Sequence, residues 1–420
     1  MVKIGILGVG TVGASVANIL SSNADIIEAR AGKKIVVELG VVKNLDRDRG
    51  VDIKLSSNPM DIINNDKIDI VVELMGGIEE PFRLVKEALK RGKAVVTANK
   101  ALLAYHRYEL QELAGDIPLA YEASTAGGIP IIGALKNGLT ANHIESIQGI
   151  MNGTTNYMLT KMINEGANYD KVLKEAQELG YAEADPTFDV GGFDASHKLL
   201  ILASLAYGID AKPEDILIEG IENITQVDVA FAKSFGYEIK LLGIAKKVDE
   251  GVELRVHPTM IDSNSMIAKV DGVMNAVSVV GDKVGETMYY GAGAGGDATA
   301  SAVIADIVDI VRGNTTPMLG YKRGLEGKFE LLPEEDIVTN YYLRMEVDDK
   351  SGVLAKITTK LGEFDISIES MLQKSHRNAS HVKLLFTTHK CTEAKIQEAI
   401  LELKRLDCVY GNIAMIRIEK

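Results

Sequence analysis

The sequence predicts an α/β chain in three parts. A doubly wound parallel sheet comes first, then an α+β unit with an antiparallel or mixed sheet, then a small ferredoxin-like βαββαβ unit. Three observations carry this. Apolar strands alternate with helical patterns through the first part of the chain. Period-two alternation takes over in IKLLGIAKKV, VELRVHPTMI and AVSVVGDKVGETMYYGAG. The final segment repeats strand, helix, strand twice.

The opening KIGILGVGTVGASVANIL is an apolar strand, then Gly8-x-Gly10-x-x-Gly13, then a helical pattern. In that context the glycines form a dinucleotide fingerprint, because bare backbone N–H groups at a helix N-terminus can approach a pyrophosphate. This marks a Rossmann-type sheet. The strands KKIVVELGVV, KIDIVVELMG and GKAVVTANK extend it, with PFRLVKEALKRG as an intervening helix. The second of the sheet's strands ends at Lys43, with Arg47 and Arg49 close behind. A basic side chain there suits the 2′-phosphate of NADP, whereas NAD enzymes usually carry a carboxylate. Asp46 and Asp48 in the same loop pull the other way. Two further strands end at Glu73–Gly77 and Thr97–Lys100. Ligands bind in the crevice outside such carboxyl ends, which places Lys100 toward the cofactor.

The segment GYAEADPTFDVGGFDASHK (180–198) runs into LLILASLAY. Asp194 and Lys198 are four apart and share a helix face. The residues after Lys198 are apolar on nearly every side, as in a buried helix. A lysine at the mouth of such a helix is costly unless paired, and beside carboxylates its pKa can be tuned for proton transfer. Gly180 suits a left-handed residue closing the preceding helix. The loop before helix ATASAVIADIVDIV holds Gly293, Gly295 and Gly296, and reads equally as a cofactor approach or a tight turn. Tyr121–Pro130 is a glycine-rich turn whose Glu122 and backbone oxygens could serve a hard cation. Tyr157-x-x-x-Lys161 matches a known dehydrogenase spacing, but it lies on an amphipathic helix with Met158, Met162 and Ile163 as core. His106, His143, His197 and His257 have no metal-ligand spacing.

Bulk properties narrow the class. A net charge of −13 is opposite to a nucleic-acid footprint. No apolar run reaches the roughly 20 residues a membrane helix needs. The first residues enter the glycine motif directly, so they read as a strand rather than a signal peptide. Two cysteines, Cys391 and Cys408, suit a reducing cytoplasm and are too few for a disulfide framework or a zinc site.

Taken in order, ILGVGTVG, TANKALLA, YEASTAGGIPII, NGTTNY, GYAEADPTFDVGGFDASHKLLILA and YGAGAGGDATASAVIADI resemble homoserine dehydrogenase, from Lys3 to about residue 320. That family interconverts L-aspartate 4-semialdehyde and L-homoserine with NAD(P)H, on the route to threonine, methionine and isoleucine. The resemblance implies Lys198 as proton donor and acceptor, and Lys100 as the second catalytic lysine. It implies Glu183 and Asp194 as holders of the substrate. Coenzyme contacts would fall at Gly8, Gly10, Thr11, Val12, Gly13, Lys43, Thr97, Lys100, Gly180 and Gly295. A monovalent cation, sodium first, would sit at Glu122 and the backbone oxygens of Thr125, Gly127 and Ile129. Lys43 stands where many relatives carry arginine, and Thr125 where valine is common. Both cysteines lie beyond residue 390, so thiol-ester chemistry of the aspartate-semialdehyde dehydrogenase kind has no nucleophile in the core.

The expected divisions are 1–131 for the nucleotide domain, with helix 297–312 returning to it, and 132–320 for catalysis and dimerisation. A polar linker covers 321–339 and the last unit 340–420. Within the last unit, Asp348-Asp-Lys-Ser-Gly352-Val-Leu354 resembles the ACT signature, with Ser351 in place of the usual proline. The resemblance implies an amino-acid effector, L-threonine first, and edge-to-edge pairing into a homodimer or dimer of dimers. A pairing module without a ligand reads the same. A dehydrogenase of another small amino or hydroxy acid, or a non-catalytic amino-acid sensor, stays open from residues alone.

Overall fold

The computed structural model describes residues 1–249, 251–314, 316–324, 329–374 and 381–420. Six strands form the first sheet, in the order Leu55–Ser56, Ile35–Val41, Val2–Leu7, Ile70–Glu73, Ala94–Thr97, Leu119–Ala120. All neighbours run parallel. The strands IVVE and AVVT are buried throughout, as a sheet covered on both faces requires. Strand order reverses beside Val2–Leu7, so the crevice opens at the carboxyl end of that strand. The helix Gly296–Val311 packs against Thr11–Ser22, and its Ala300, Val303 and Ile307 join the core of the first sheet. Its place there lets one late segment complete the nucleotide unit.

The second sheet runs Gly285–Ala292, Met274–Gly281, Ile144–Ile150, Tyr237–Val248 and Gly251–Asp262, with antiparallel neighbours. It does not stop at the next unit. Thr259–Ile261 pair in parallel with Arg417–Glu419, so the sheet continues through Val409–Glu419, Val338–Asp348, His381–Thr388 and Ile368–Lys374. Helices Val353–Glu363 and Glu393–Lys404 complete the βαββαβ unit around Tyr341, Leu343, Ile357 and Ile396. Residues 325–328, in the expected linker, and 375–380 lie outside the described residues. Within 329–339, Glu330–Leu331 adds a short parallel strand beside Gly251–Val252, and Ile337 is buried.

Buried charge closes the seam between the two halves of this sheet. The fully buried Arg417 grips Glu219 from the middle unit at 2.9 and 3.0 Å, and Glu393 from its own unit. Arg255 pairs with Glu253 and Glu419. Asp228 takes the Arg344 guanidinium at 2.7 Å and the Tyr342 hydroxyl at 2.7 Å.

Candidate active site

The helix Phe193–Tyr207 carries the centre of the site, and it is buried along almost its whole length. It starts at Gly192, whose φ of 88° is left-handed; a Cβ there would meet Val256, Ile218 and the Glu219 carbonyl within 3.3 Å. Asp194 sits in the first turn, where the helix dipole favours an anion. One turn on, the Lys198 ammonium donates to Asp194 Oδ2 at 2.7 Å and to the Met151 carbonyl at 2.6 Å. The other carboxylate oxygen, Oδ1, lies 3.1 Å from Lys100 Nζ. A single buried carboxylate therefore bridges two lysines brought from opposite sides of the crevice.

Lys100 opens the helix Lys100–Ala114, which begins where the strand Ala94–Thr97 leaves the parallel sheet. Asn99 caps it by accepting the Leu102 N–H at 3.0 Å. The Phe188 ring lies 6.0 Å from the Lys100 ammonium. Asn152 joins the cluster from the start of helix Gly153–Glu165. Its amide donates to Asp194 Oδ2 and to Asp189 Oδ1, both at 2.8 Å, while its oxygen caps Thr155.

The charges fix the protonation pattern. Burial alone would raise the Asp194 carboxyl, but the Lys198 and Lys100 ammoniums and the Asn152 amide outweigh it and hold it well below the usual carboxylate range. Burial pushes Lys198 down, and Lys100 adds to this; Asp194 and Asp189 oppose it without reversing it. Asp189 is pushed up, by burial first and then by Asp194.

A cavity of about 730 Å³ links this cluster to the glycine fingerprint. Val12, Gly180 and Gly295 line it, with Glu183, Asp189, Asp194, Lys100 and Lys198. A Cβ at Gly8 would stand 2.7 Å from the Leu74 carbonyl, and one at Gly13 would stand 2.3 Å from the Gly8 carbonyl. Gly10, by contrast, faces open space, with nothing within 4 Å of a Cβ. The bare turn thus leaves room above Gly10 for a pyrophosphate, and the residues present fit a dinucleotide.

Not every expected residue stands on this wall. Thr11 and Lys43 are exposed on the nucleotide unit, Lys43 just past the end of Ile35–Val41, and neither lines the cavity, whereas Glu183 lines it although exposed. Thr97 is fully buried; its hydroxyl donates to Glu73 and accepts the Asn99 N–H, so its side chain faces away from the crevice. Both Glu122 carboxylate oxygens accept backbone N–H groups, from Ile132 at 2.8 Å and Gly133 at 2.7 Å. The carbonyls of the buried residues Thr125 and Gly127 accept no hydrogen bond among the described residues, whereas that of Ile129 accepts the Ile131 N–H. Unpartnered carbonyls are what a hard monovalent cation would take, so this loop fits one through its backbone. No cluster of three or more His, Cys, Asp or Glu that could hold a metal occurs among the described residues. The Tyr157 and Lys161 pair is turned to Glu175, away from the cluster. In the last unit, Asp348 accepts from Tyr410 at 3.0 Å and Lys350 at 2.9 Å, Gly352 starts a helix at φ 90°, and Leu354 is exposed.

Asn152 and Asp189 are site residues that the sequence alone does not single out. Asn152 lies in NGTTNY and Asp189 in ADPTFDV, motifs that carry the family resemblance without assigning these two side chains a role. The spacing 189, 194, 198 flags Asp189 only once the short helix Thr187–Val190 is known.

Family models place these features. One for the homoserine dehydrogenase NAD-binding domain matches residues 8–116, one for homoserine dehydrogenase matches 130–308, and one for the ACT domain matches 341–408. The homoserine dehydrogenase of Helicobacter pylori is 53% identical over 417 residues, 99% of either chain. The chain belongs to the homoserine dehydrogenase family. The homoserine dehydrogenase of Pseudomonas aeruginosa is 46% identical, covering 100% of this chain and 99% of that one. The crystal structure of a homoserine dehydrogenase from Thiobacillus denitrificans superposes with a TM-score of 0.92 at 46% identity, over 100% of this chain and 98% of that one. A hyperthermophilic archaeal homoserine dehydrogenase in complex with NADPH matches 73% of this chain and 97% of its own, with a TM-score of 0.63 at 29% identity. Family membership decides between the readings left open by residues alone: the chain is an oxidoreductase that interconverts L-homoserine and L-aspartate 4-semialdehyde. It carries an NAD(P)-binding domain and a C-terminal ACT domain. No helix among the described residues is long and apolar enough to cross a membrane.

Proposed function

We propose that Lys198 exchanges the proton with the substrate oxygen while Lys100, sharing the Asp194 carboxylate, stabilises the charge that develops there. The observation that carries this is the single buried carboxylate between two ammonium groups, 2.7 and 3.1 Å away, on the wall of the dinucleotide crevice. The nicotinamide coenzyme, when bound, supplies or removes the hydride. In reduction, negative charge grows on the aldehyde oxygen, and the Lys198 ammonium meets it and gives up a proton. In oxidation the same nitrogen must be neutral to take the hydroxyl proton, and its burial makes that state accessible. Asp194 keeps both lysines aimed at one point. Glu183 and Asp189 then face the substrate's ammonium group, with Asp194 completing the negative side of the pocket.

Coenzyme choice, cation, effector and assembly complete the proposal. Lys43, at the end of the second strand, favours NADP over NAD through the 2′-phosphate, although NAD is accommodated. A monovalent cation, sodium first, sits on the carbonyls of Thr125, Gly127 and Ile129 beside Glu122, and ties the loop to the crevice. The loop of Asp348, Gly352 and Leu354 takes an amino-acid effector, L-threonine first. The working assembly is a homodimer or a dimer of dimers in the cytoplasm.

The test uses purified chain with L-homoserine and both coenzymes. Lys198→Ala should lower kcat by about 10²–10⁴-fold, the range of a lost general acid–base group, with coenzyme Kd unchanged. A turnover within twofold of the parent would remove Lys198 from its role. Lys43→Ala should raise KM for NADP more than for NAD, and equal effects would end the 2′-phosphate assignment.

A further inference from the structure

Beneath the crevice lies a carboxylate that the mechanism does not use. Glu73 ends the strand Ile70–Glu73 and is fully buried. Its partners are all neutral: the Thr97 hydroxyl at 2.5 Å and the Met75 N–H at 2.7 Å, with the Asn99 side chain also lending support. No lysine or arginine among the described residues forms an ion pair with it. A buried carboxylate without a cation is expensive, and valine occupies the two strand positions before it. Burial pushes the carboxyl up to about 7 against those hydrogen bonds. Something other than stability has to account for it.

Its neighbours supply the account. Glu73 and Thr97 are register partners at the carboxyl ends of adjacent strands. The Thr97 hydroxyl, donating to Glu73, accepts the Asn99 N–H at 3.0 Å. Asn99 then caps the helix through Leu102 and reaches across to the Gly77 carbonyl at 2.8 Å. The next residue is Lys100, whose ammonium sits on Asp194. A cation in the first turn opposes the helix dipole, so Lys100 needs to be held there by other means. From below, Glu73 also holds Met75, which lines the crevice with Leu74 and Ala98. Being wholly enclosed, it cannot touch substrate or coenzyme.

We infer that Glu73 is a positioning residue: through the Thr97 hydroxyl and the Asn99 cap it fixes where the helix bearing Lys100 begins, and so the pose of the Lys100 ammonium over the substrate. This rests on the proposed role of Lys100, and the test separates the two. Glu73→Gln keeps the shape and removes the charge. In the full-length enzyme it should lower kcat for homoserine oxidation at least tenfold, with coenzyme Kd within twofold of the parent. Thr97→Val, which cuts the same link, should lose as much, and Thr97→Ser should restore it. In a Lys100→Ala background Glu73→Gln should add no further loss. Lys100→Ala by itself reports on the role of the lysine. An unchanged kcat in Glu73→Gln and Thr97→Val overturns the inference, as does a loss that persists undiminished without Lys100. Should Glu73→Gln fail to fold, the Thr97 pair decides by the same criteria.

Discussion

At the residue scale, the site depends on one carboxylate holding two cations. On the proposed mechanism, Lys198 is the group whose titration the reaction sees. Its folded pKa lies below that of a free lysine because burial and Lys100 penalise the ammonium. Homoserine oxidation should therefore rise with pH along a limb set below the ordinary lysine value. Reduction of the semialdehyde should fall through the same limb, because it needs the proton in place. Matching limbs of opposite sign, measured as kcat against pH in both directions, are the expected result; limbs of the same sign would count against Lys198. Glu73 makes a separate pH prediction, on stability. Its folded pKa of about 7 lies above the ordinary value of 4.5. A raised carboxyl contributes stability that is fully present below the unfolded value and is lost as pH rises through the folded one. That loss is about 3 kcal/mol as an upper figure. Glu73→Gln should flatten the fall in urea midpoint between pH 5 and pH 8; an unchanged slope would show that the carboxyl titrates normally. The i, i+4 spacing made Asp194 and Lys198 legible as a pair, and they lie 2.7 Å apart. Asn152 was not legible, because its contact with Asp194 spans 42 residues and follows no periodicity.

At the element scale, the fingerprint turn divides its glycines by task. Gly13 packs on backbone, and Gly10 faces empty space. Gly13→Ala should lower the melting temperature, because its Cβ would stand 2.3 Å from the Gly8 carbonyl. Gly10→Ala should leave melting of the free protein unchanged and weaken coenzyme binding at least tenfold. Thermal melts with and without NADP, together with a binding titration, check both; equal effects in the two variants would contradict this division. The parallel strands could be read in the sequence because they are short apolar runs between helices, and both faces are covered. The seam at Thr259–Ile261 could not. A parallel pairing 158 residues away leaves no alternation to read, and its ion pairs form only once the units meet. The polar stretch at 329–339 likewise hid a strand of only two residues, too short for any pattern.

At the scale of the whole molecule, the ACT unit is joined to the catalytic unit by backbone pairing and buried charge. Arg417 neutralises Glu393 and Glu219 together. Removing it strands carboxylates, and breaking such a pair costs about 3–5 kcal/mol. Arg417→Met should therefore lower the urea midpoint sharply, and Arg417→Met with Glu393→Gln should recover part of the loss. A double variant no better than the single one would show that the pair is not the source. Glu219 also lies one residue from Gly220 and two from Ile221, whose N–H donates to Val190 beside Asp189. The seam and the buried carboxylate cluster of the crevice are thus one short loop apart.

The continuous sheet has a consequence for assembly. Its outermost strands, Gly285–Ala292 and Ile368–Lys374, each leave one side without a neighbour among the described residues. An open edge recruits another strand, and self-pairing about a twofold axis is the simplest way to close it. Were both edges to pair with their own copies in this way, there would be two such axes. If the axes meet at a right angle, four copies close into a finite particle of 222 symmetry; if they do not meet, the copies run on as a filament. Number and shape of an assembly built on both edges would then be a matter of the angle between the two ends of one sheet, and the twist accumulated from one end to the other sets that angle.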